Sequence, residues 1–437
     1  MPEANACSPN KRIWYTSVLA VFFHFDEHTR YGFPTYSPGL TVLQSRSVRT
    51  FVPHHLRGIQ TLAGTSEILQ DVPSDPSTPF KVRIHEDSFR GHNCETPELD
   101  VVVNKAQLLD MYRDMQVMRR MEMAADSLYK AKLIRGFCHL SIGQEAVSVG
   151  IHHGLTPEDS IITSYRCHPF AVMRGGSVVG VLGELMGRQC GMSKGKGGSM
   201  HMFTPTFYGG NGIVGAQVPM GAGIAFAAKY TGKPIATFTL YGDGASNQGQ
   251  VFEAFNMAKL WDLPVVFVCE NNKYGMGTSV ERSSANTQHY TRGDSIPGLQ
   301  VNGMDIIATR QAAEFARKWT VDDKRGPLLV EFVTYRYGGH SMSDPGTTYR
   351  TRDEVQRMRS TQDPIRGLQR YFEEWGLASV DELKVIEKDV KAEIEAAVEE
   401  AKASPEPDPQ SFWNDIYYPG TEPRFLRGRE REEVHYF

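Results

Sequence analysis

Residues 235–272 read IATFTLYGDGASNQGQVFEAFNMAKLWDLPVVFVCENN, and their pattern decides the fold class. Ile235 to Tyr241 is apolar and β-prone. Ala245 to Leu260 carries Val251, Phe252, Phe255 and Ala258 at helical spacing, and Pro264 to Cys269 (PVVFVC) is a second buried-strand run. Strand, helix and strand make a βαβ unit, so the two strands are parallel and their carboxyl ends share one rim. Asp243 and Asn272 each follow such an end, where ligands of open α/β sheets bind.

The residue types narrow the ligand. Mg²⁺ wants oxygen donors in near-octahedral array, and phosphate oxygens complete a shell begun by one or two protein groups. A carboxylate (Asp243), an amide oxygen (Asn272) and a main-chain carbonyl just beyond it meet that need. Glycines on both sides of Asp243 let the backbone approach a diphosphate, and a helix beginning near Ser246 or Asn247 would aim its unpaired N–H groups at the same anion. The pattern suits a magnesium diphosphate. A tight turn in which Asp243 only caps a helix is the alternative, and the second motif at its distance argues against it.

Further along the chain, Lys105 to Lys132 has Leu108, Met111, Met115, Met118 and Met121 at helical intervals, a stripe expected to pack in the core. Ile161 to Tyr165 reads as a strand, Val178 to Met186 as a helix and Gly187 to Gly198 as a loop. Gly210, Gly212 and Gly215 form a literal GxGxxG. A dinucleotide fold also needs an acidic residue on the ribose about twenty positions on, and there is no Asp or Glu between His201 and Gly242. Leu328 to Tyr337 (LLVEFVTYRY) reads as a strand that delivers His340 to the same rim, and Asp381 to Ala401 as an amphipathic helix.

Three stretches carry a family resemblance: LYGDGASNQGQVFEAFNMAKLWDLPVVFVCENNKYGMGTSVER (240–282), FCHLSIGQE (137–145) and YGGHSMSDPGTTYRTR (337–352). Together they resemble the alpha chains of the thiamine diphosphate-dependent 2-oxo acid dehydrogenases, the decarboxylating first components of those complexes. The resemblance runs from about Phe89 to about Pro419 and is nearer the pyruvate branch than the branched-chain branch, chiefly through SMSDPGTTYRT. It implies an α/β thiamine diphosphate-binding fold: a mostly parallel sheet flanked by helices, with a disordered N-terminal extension and a helical C-terminal region.

By that resemblance Asp243 and Asn272 are the Mg²⁺ side-chain ligands and the carbonyl of Tyr274 is the third protein ligand. Gly244 and Ala245 contact the diphosphate, which Tyr165, Arg166 and His340 also reach; Arg suits phosphate through its planar donor fork. Gly212 and Val214 line the ring side of the cofactor. His139 and His340 are the proton-handling residues. The cofactor-activating glutamate of the family has no counterpart in a second βαβ series here. The resemblance therefore implies a beta subunit in an α2β2 heterotetramer, with this chain inactive alone, and as further partners the dihydrolipoyl acetyltransferase core and a pyruvate dehydrogenase kinase and phosphatase.

The loop at 337–352 resembles the family's phosphorylation loop, with Ser341 as the principal site, Ser279 as a lesser one and Thr348 at a third position where a serine is usual. A phosphate on Ser341 would set close to two negative charges at the mouth an anionic 2-oxo acid must enter. Gly338 stands where some relatives carry another histidine. A regulatory chain that keeps the fold without turnover is a separate reading, against which the intact His139, Tyr165, Arg166, Asp243, Asn272 and His340 argue.

Composition bounds the rest. The 437 residues carry a net charge of −4, which offers no cationic face for nucleic acid. Six scattered cysteines (Cys7, Cys94, Cys138, Cys167, Cys190, Cys269) show no CxxC spacing and read as thiols in a reducing compartment. The apolar run from Val18 to Phe25 is too short to span a bilayer, so no membrane association is expected. Between Glu27 and Glu67 there is no acidic residue while Arg30, Arg46, Arg49 and Arg57 recur, the composition of a mitochondrial transit segment and hence of a matrix protein, or of a disordered tail. The expected organisation is a leader over 1–70, an extended lead-in over 71–100, the cofactor-binding domain over 101–360 and a helical extension over 361–437.

Overall fold

The computed structural model describes residues 66–437. In chain order its main sheet is built from β1 (Phe89–His92), β2 (Ser160–Ile162), β3 (Thr237–Gly242), β4 (Val265–Asn271), β5 (Gly298–Asn302) and β6 (Leu328–Val333). The helices that matter below are α1 (Lys105–Lys130), α2 (Glu145–Gly154), α3 (Val178–Leu185), α4 (Gln217–Tyr230), α5 (Gly249–Leu260), α6 (Ile306–Arg317), α7 (Arg352–Thr361), α8 (Pro364–Glu374) and α9 (Val380–Ala403).

The strand order is β1-β5-β6-β4-β3-β2, parallel throughout except for β1, which runs antiparallel along β5 at the edge. Side-chain alternation in the central strands feeds two cores. Val266 and Val268 of β4 pack with Phe238, Leu240, Val330 and the faces of α1, α2, α3 and α6. Val265, Phe267 and Cys269 point the other way, against α4 and α5 through Ala222, Ala225, Val251 and Phe255. A strand buried on both faces needs this continuous apolar run, and each such side chain contributes about 1.5–3 kcal/mol of burial.

The methionine stripe of α1 is core: Met111, Met115, Met118 and Met121 are buried. α1 starts where the Asn104 side chain accepts the Gln107 N–H at 2.8 Å, and α9 starts on a Ser379/Glu382 capping box. Leu383, Val390 and Ile394 of α9 are buried against the same core, so its apolar face is packing.

Several elements differ from the sequence reading. The expected helix from Ala245 is a 3₁₀ turn over Ala245–Asn247, an extended Gln248 and only then α5. The Ser246 hydroxyl donates to the Asp243 carbonyl at 2.6 Å, and that local bond competes with helix start. β6 stops at Val333 because β4 ends at Asn271; after the Thr334 N–H reaches the Asn271 carbonyl the ladder has no partner. Tyr335 and Tyr337 pack on Met304 instead. β2 likewise ends at Ile162, short of the expected Tyr165.

The stretch 71–100 holds strands: Phe80–Arg83 pairs with Asp100–Val103 and with Glu67–Ile68 in a small antiparallel sheet, and β1 joins the main one. The chain from 361 is helical to Ala403 and then ends in a two-stranded pairing of Phe425–Arg427 with Val434–Tyr436. The described residues fall within one compact unit. The leader lies outside the described residues apart from its last five positions. Among the described residues no helix is long and apolar enough to cross a membrane, and Cys94, Cys138, Cys167, Cys190 and Cys269 are free.

Candidate active site

Parallel register brings the two motif ends together. Gly242 lies opposite Glu270 in the β3/β4 ladder, so Asp243 leaves the sheet beside Asn271 and Asn272. Asp243 is 2% exposed, and its Oδ2 is buried with no partner among the described residues. Burial pushes the carboxyl up to about 6, against the pull of hydrogen bonds from its own and the Asn272 main-chain N–H and of the Arg336 and Lys273 charges. An acceptor this buried and this unpaired needs a cation or a donor.

The surroundings fit a small cation with an anion beside it. Asn272 is buried, and its Oδ1 is engaged only by the Tyr274 N–H at 3.4 Å. Lys273 has φ 76°, which turns the chain so that Tyr274–Gly275 folds back as a hairpin on Thr278–Ser279. A methyl on Gly275 would sit 3.2 Å from the Gly244 Cα and 3.7 Å from the Asp243 Oδ2, so the two glycines close on each other directly over the orphaned carboxylate. Among the described residues no three His, Cys, Asp or Glu side chains cluster as a metal site. The side-chain donors offered here are one carboxylate and one amide, which suit Mg²⁺ completed by phosphate oxygens rather than zinc.

A second group adjoins the first. The rings of His139 and His340 lie 5.2 Å apart, with Tyr165 4.5 Å from His139 and 5.3 Å from His340. Buried Arg166 joins the loops that carry them: it donates to the Leu140 carbonyl at 2.8 Å and to the His340 carbonyl at 2.6 Å. Burial, then the Arg166 and His340 charges, holds His139 down to about 3; burial, then Arg166 and Arg336, holds His340 down to about 4. Both imidazoles are therefore neutral near pH 7, and the Nδ1 of His139 is buried without a partner. Arg336 ties this group to the hairpin, donating to the Gly338 carbonyl at 3.1 Å and to the Met276 carbonyl at 3.3 Å.

The remaining expected residues take their places around these two groups. Ala245 is buried in the turn after Gly244. Val214 is 42% exposed, and its carbonyl accepts the Gln248 amide at 2.6 Å, which sets the Gly212–Val214 stretch above the start of α5. Gly210 ties that stretch to the loop of Arg166: a methyl there would lie 2.8 Å from both the Ser164 carbonyl and the Cys167 Sγ. Ser341 and Thr348 line an open cleft with Phe137, His139, Met276 and His340, while Ser279 is half-buried in the hairpin opposite Tyr274. The loop is pinned by Asp344, which accepts the His340 N–H and the Tyr349 hydroxyl, each at 2.6 Å.

Sequence reading missed Arg336, Asp344 and Glu354. Glu354, in the first turn of α7, accepts the hydroxyls of Tyr274 (3.0 Å) and Tyr335 (2.8 Å) and so links the hairpin to the strand exit. Only Asp344 carried a signal, as the Asp of a turn-forming SDPG.

Comparison with known proteins identifies the family. The family model described as "Dehydrogenase E1 component" matches residues 113–410. The mitochondrial pyruvate dehydrogenase E1 component subunit alpha of Schizosaccharomyces pombe is 60% identical over 385 residues, covering 87% of this chain and 94% of that one. That of Saccharomyces cerevisiae is 57% identical over 384 residues (87% and 90%), and the somatic form from Bos taurus 53% over 366 residues (82% and 94%).

Proposed function

This chain belongs to the dehydrogenase E1 component family, and from that premise we propose that it is the alpha subunit of a mitochondrial pyruvate dehydrogenase. It decarboxylates pyruvate oxidatively and passes the acetyl unit to the lipoyl group of a dihydrolipoyl acetyltransferase core, in the mitochondrial matrix and as one of the two alpha chains of an α2β2 unit. The observation that carries the reading is the buried, unpartnered Oδ2 of Asp243, roofed by Gly244 and Gly275 and set beside Asn272. Thiamine diphosphate, when bound, supplies a thiazolium carbon that adds to a 2-oxo carbonyl and takes up the electrons left by decarboxylation.

The protein's own residues do the rest. Asp243, Asn272 and the Tyr274 carbonyl hold Mg²⁺, and Gly244, Ala245, Tyr165, Arg166 and His340 receive the diphosphate. Gly212 and Val214 face the rings of the cofactor, on the more open side that a beta subunit completes. His139 and His340, both neutral, hold or accept a proton at a ring nitrogen next to the incoming 2-oxo acid. An anionic substrate would raise both histidines from the values they have here, moving them toward the range where acid and base forms exchange. Phosphorylation of Ser341 by the kinase, with Ser279 as a lesser site and Thr348 as a third position where a threonine suits a serine-preferring kinase poorly, brings charge to the cleft mouth and stops substrate entry.

The test is cofactor- and Mg²⁺-dependent decarboxylation with an artificial electron acceptor, using this chain alone and then co-expressed with its candidate beta chain. Pyruvate turnover only in the co-expressed sample supports the assignment. Preference for a branched 2-oxo acid moves it to the sister enzyme, and turnover by the single chain overturns the two-subunit account.

A further inference from the structure

A cation accepts only the oxygen of a carboxamide, so a metal-binding asparagine must have its amide turned the right way round. Something has to fix that choice. In this chain the Nδ2 of Asn272 donates to the Oε1 of Gln144 at 3.1 Å, across 128 positions of sequence. That bond takes the nitrogen end of the Asn272 amide. The other end, Oδ1, is left turned to the Tyr274–Gly275 hairpin, where it meets the Tyr274 N–H at 3.4 Å and where the Asp243 Oδ2 also points.

Gln144 stands on a rigid base. It caps α2, with its N–H on the Ser141 carbonyl at 2.9 Å and its carbonyl accepting the Val147 N–H at 3.1 Å. Its neighbour Glu145 is gripped by Arg119 through both oxygens, at 2.5 and 2.9 Å. Gln144 itself is 3% exposed, so no water competes for its amide.

We infer that Gln144 is a positioning residue for the cation site: it orients the Asn272 amide so that oxygen, not nitrogen, faces the divalent ion. The inference rests on the thiamine diphosphate reading and deepens it. Partners in the layer behind metal ligands typically account for about 10–100-fold in metal affinity, and that is the loss expected when this one is removed.

The experiment uses the full chain co-expressed with its beta chain, stripped of metal, and titrated with Mn²⁺ in the presence of thiamine diphosphate. Free Mn²⁺ is read by electron paramagnetic resonance, without turnover. Gln144→Met, close in volume but unable to orient an amide, should weaken Mn²⁺ by about 10–100-fold while the melting temperature of the metal-free protein stays within a degree or two. The same change made on top of Asn272→Asp should cost less than about threefold, because a carboxylate presents oxygen whichever way it turns. Equal losses in both backgrounds would make Gln144 a packing residue and overturn the inference, as would undiminished Mn²⁺ affinity in Gln144→Met. If the unsubstituted protein takes up no Mn²⁺ with thiamine diphosphate, the cofactor reading itself fails, and that outcome is distinct because it needs no variant.

Discussion

Replacing Arg119 by methionine should destabilise the protein through the charges it strands, not through the volume it removes. Its guanidinium is 13% exposed and lies between two carboxylates that are nearly dry, Glu145 at 2% and Asp363 at 4% side-chain exposure. Each ion pair, taken at about 4 Å and an effective dielectric of about 20, is worth about 4 kcal/mol of Coulomb attraction, so the two together approach about 8 kcal/mol. Against that stands the several kcal/mol spent in desolvating the guanidinium, which leaves a net cost of about 3–5 kcal/mol when one partner is removed. For a chain of this size that lowers the melting midpoint by about 3–6 °C. The assay is thermal denaturation by circular dichroism of the co-expressed protein. The decisive comparison adds Glu145→Gln and Asp363→Asn to Arg119→Met. Both amides keep the backbone bonds of the originals, to Gly143 N–H and to the Ile365 and Arg366 N–H groups. The triple variant should recover most of the lost stability. A triple variant that melts as low as Arg119→Met would refute the stranded-charge account and assign the loss to packing.

Three shorter predictions follow from other parts of the molecule. His289 is 2% exposed and held down to about 4, first by burial and then by Arg292, against an ordinary value of 6.5. Its contribution to stability is complete above pH 6.5 and is lost as pH falls toward about 4, by which point the loss amounts to about 3 kcal/mol; His289→Gln should melt with a shallower decline over that window, and an unchanged slope would exclude it. Gly221 of α4 faces Thr239 of β3 so closely that a methyl would overlap the Thr239 hydroxyl. Gly221→Ala should therefore lower stability by about 1–3 kcal/mol, and a neutral melting temperature would show that α4 can shift. Ser341→Glu should reduce kcat/KM for pyruvate by at least about tenfold, with partial recovery as ionic strength rises from about 0.01 to about 0.15 M. Full activity in this variant would rule out charge at the cleft mouth as the regulatory device.

What the sequence made legible was the part governed by periodicity and by parallel topology. The alternation Val265, Val266, Phe267, Val268 marks a strand buried on both sides, and once β3 and β4 are parallel the rim position of Asp243 and Asn272 follows without further information. His340 is a different case, because β6 ends at Val333 and the loop held by Arg166 and Asp344 places the histidine. Elements set by short-range competition were harder to read. The start of α5 at Gly249 instead of Ala245 depends on one hydroxyl, Ser246, choosing the Asp243 carbonyl. The strands Phe80–Arg83 and Phe89–His92 were hidden because Pro and Ser around them read as lead-in, although Phe80 and Val82 alternate with exposed Lys81 and Arg83 as a half-buried strand should.

The interactions least visible in one dimension are those that decide which atom faces the ligand. GDG and ENN suggest Asp243 as a ligand, yet nothing in those motifs says which end of the Asn272 amide points inward. In the reading proposed above that choice falls to Gln144, whose neighbours in sequence are a capping turn and a clamped Glu145. Arg166 and Arg336 play a comparable part for the histidines, because each spends its donors on loop carbonyls and leaves its charge to act on the rings. A metal site of hard oxygen donors needs few ligands from the protein, so most of its specificity has to reside in how those ligands are held. The buried polar contacts behind Asn272 and His340 are therefore where substitutions far from the motifs should alter cation affinity and proton transfer while leaving the fold intact.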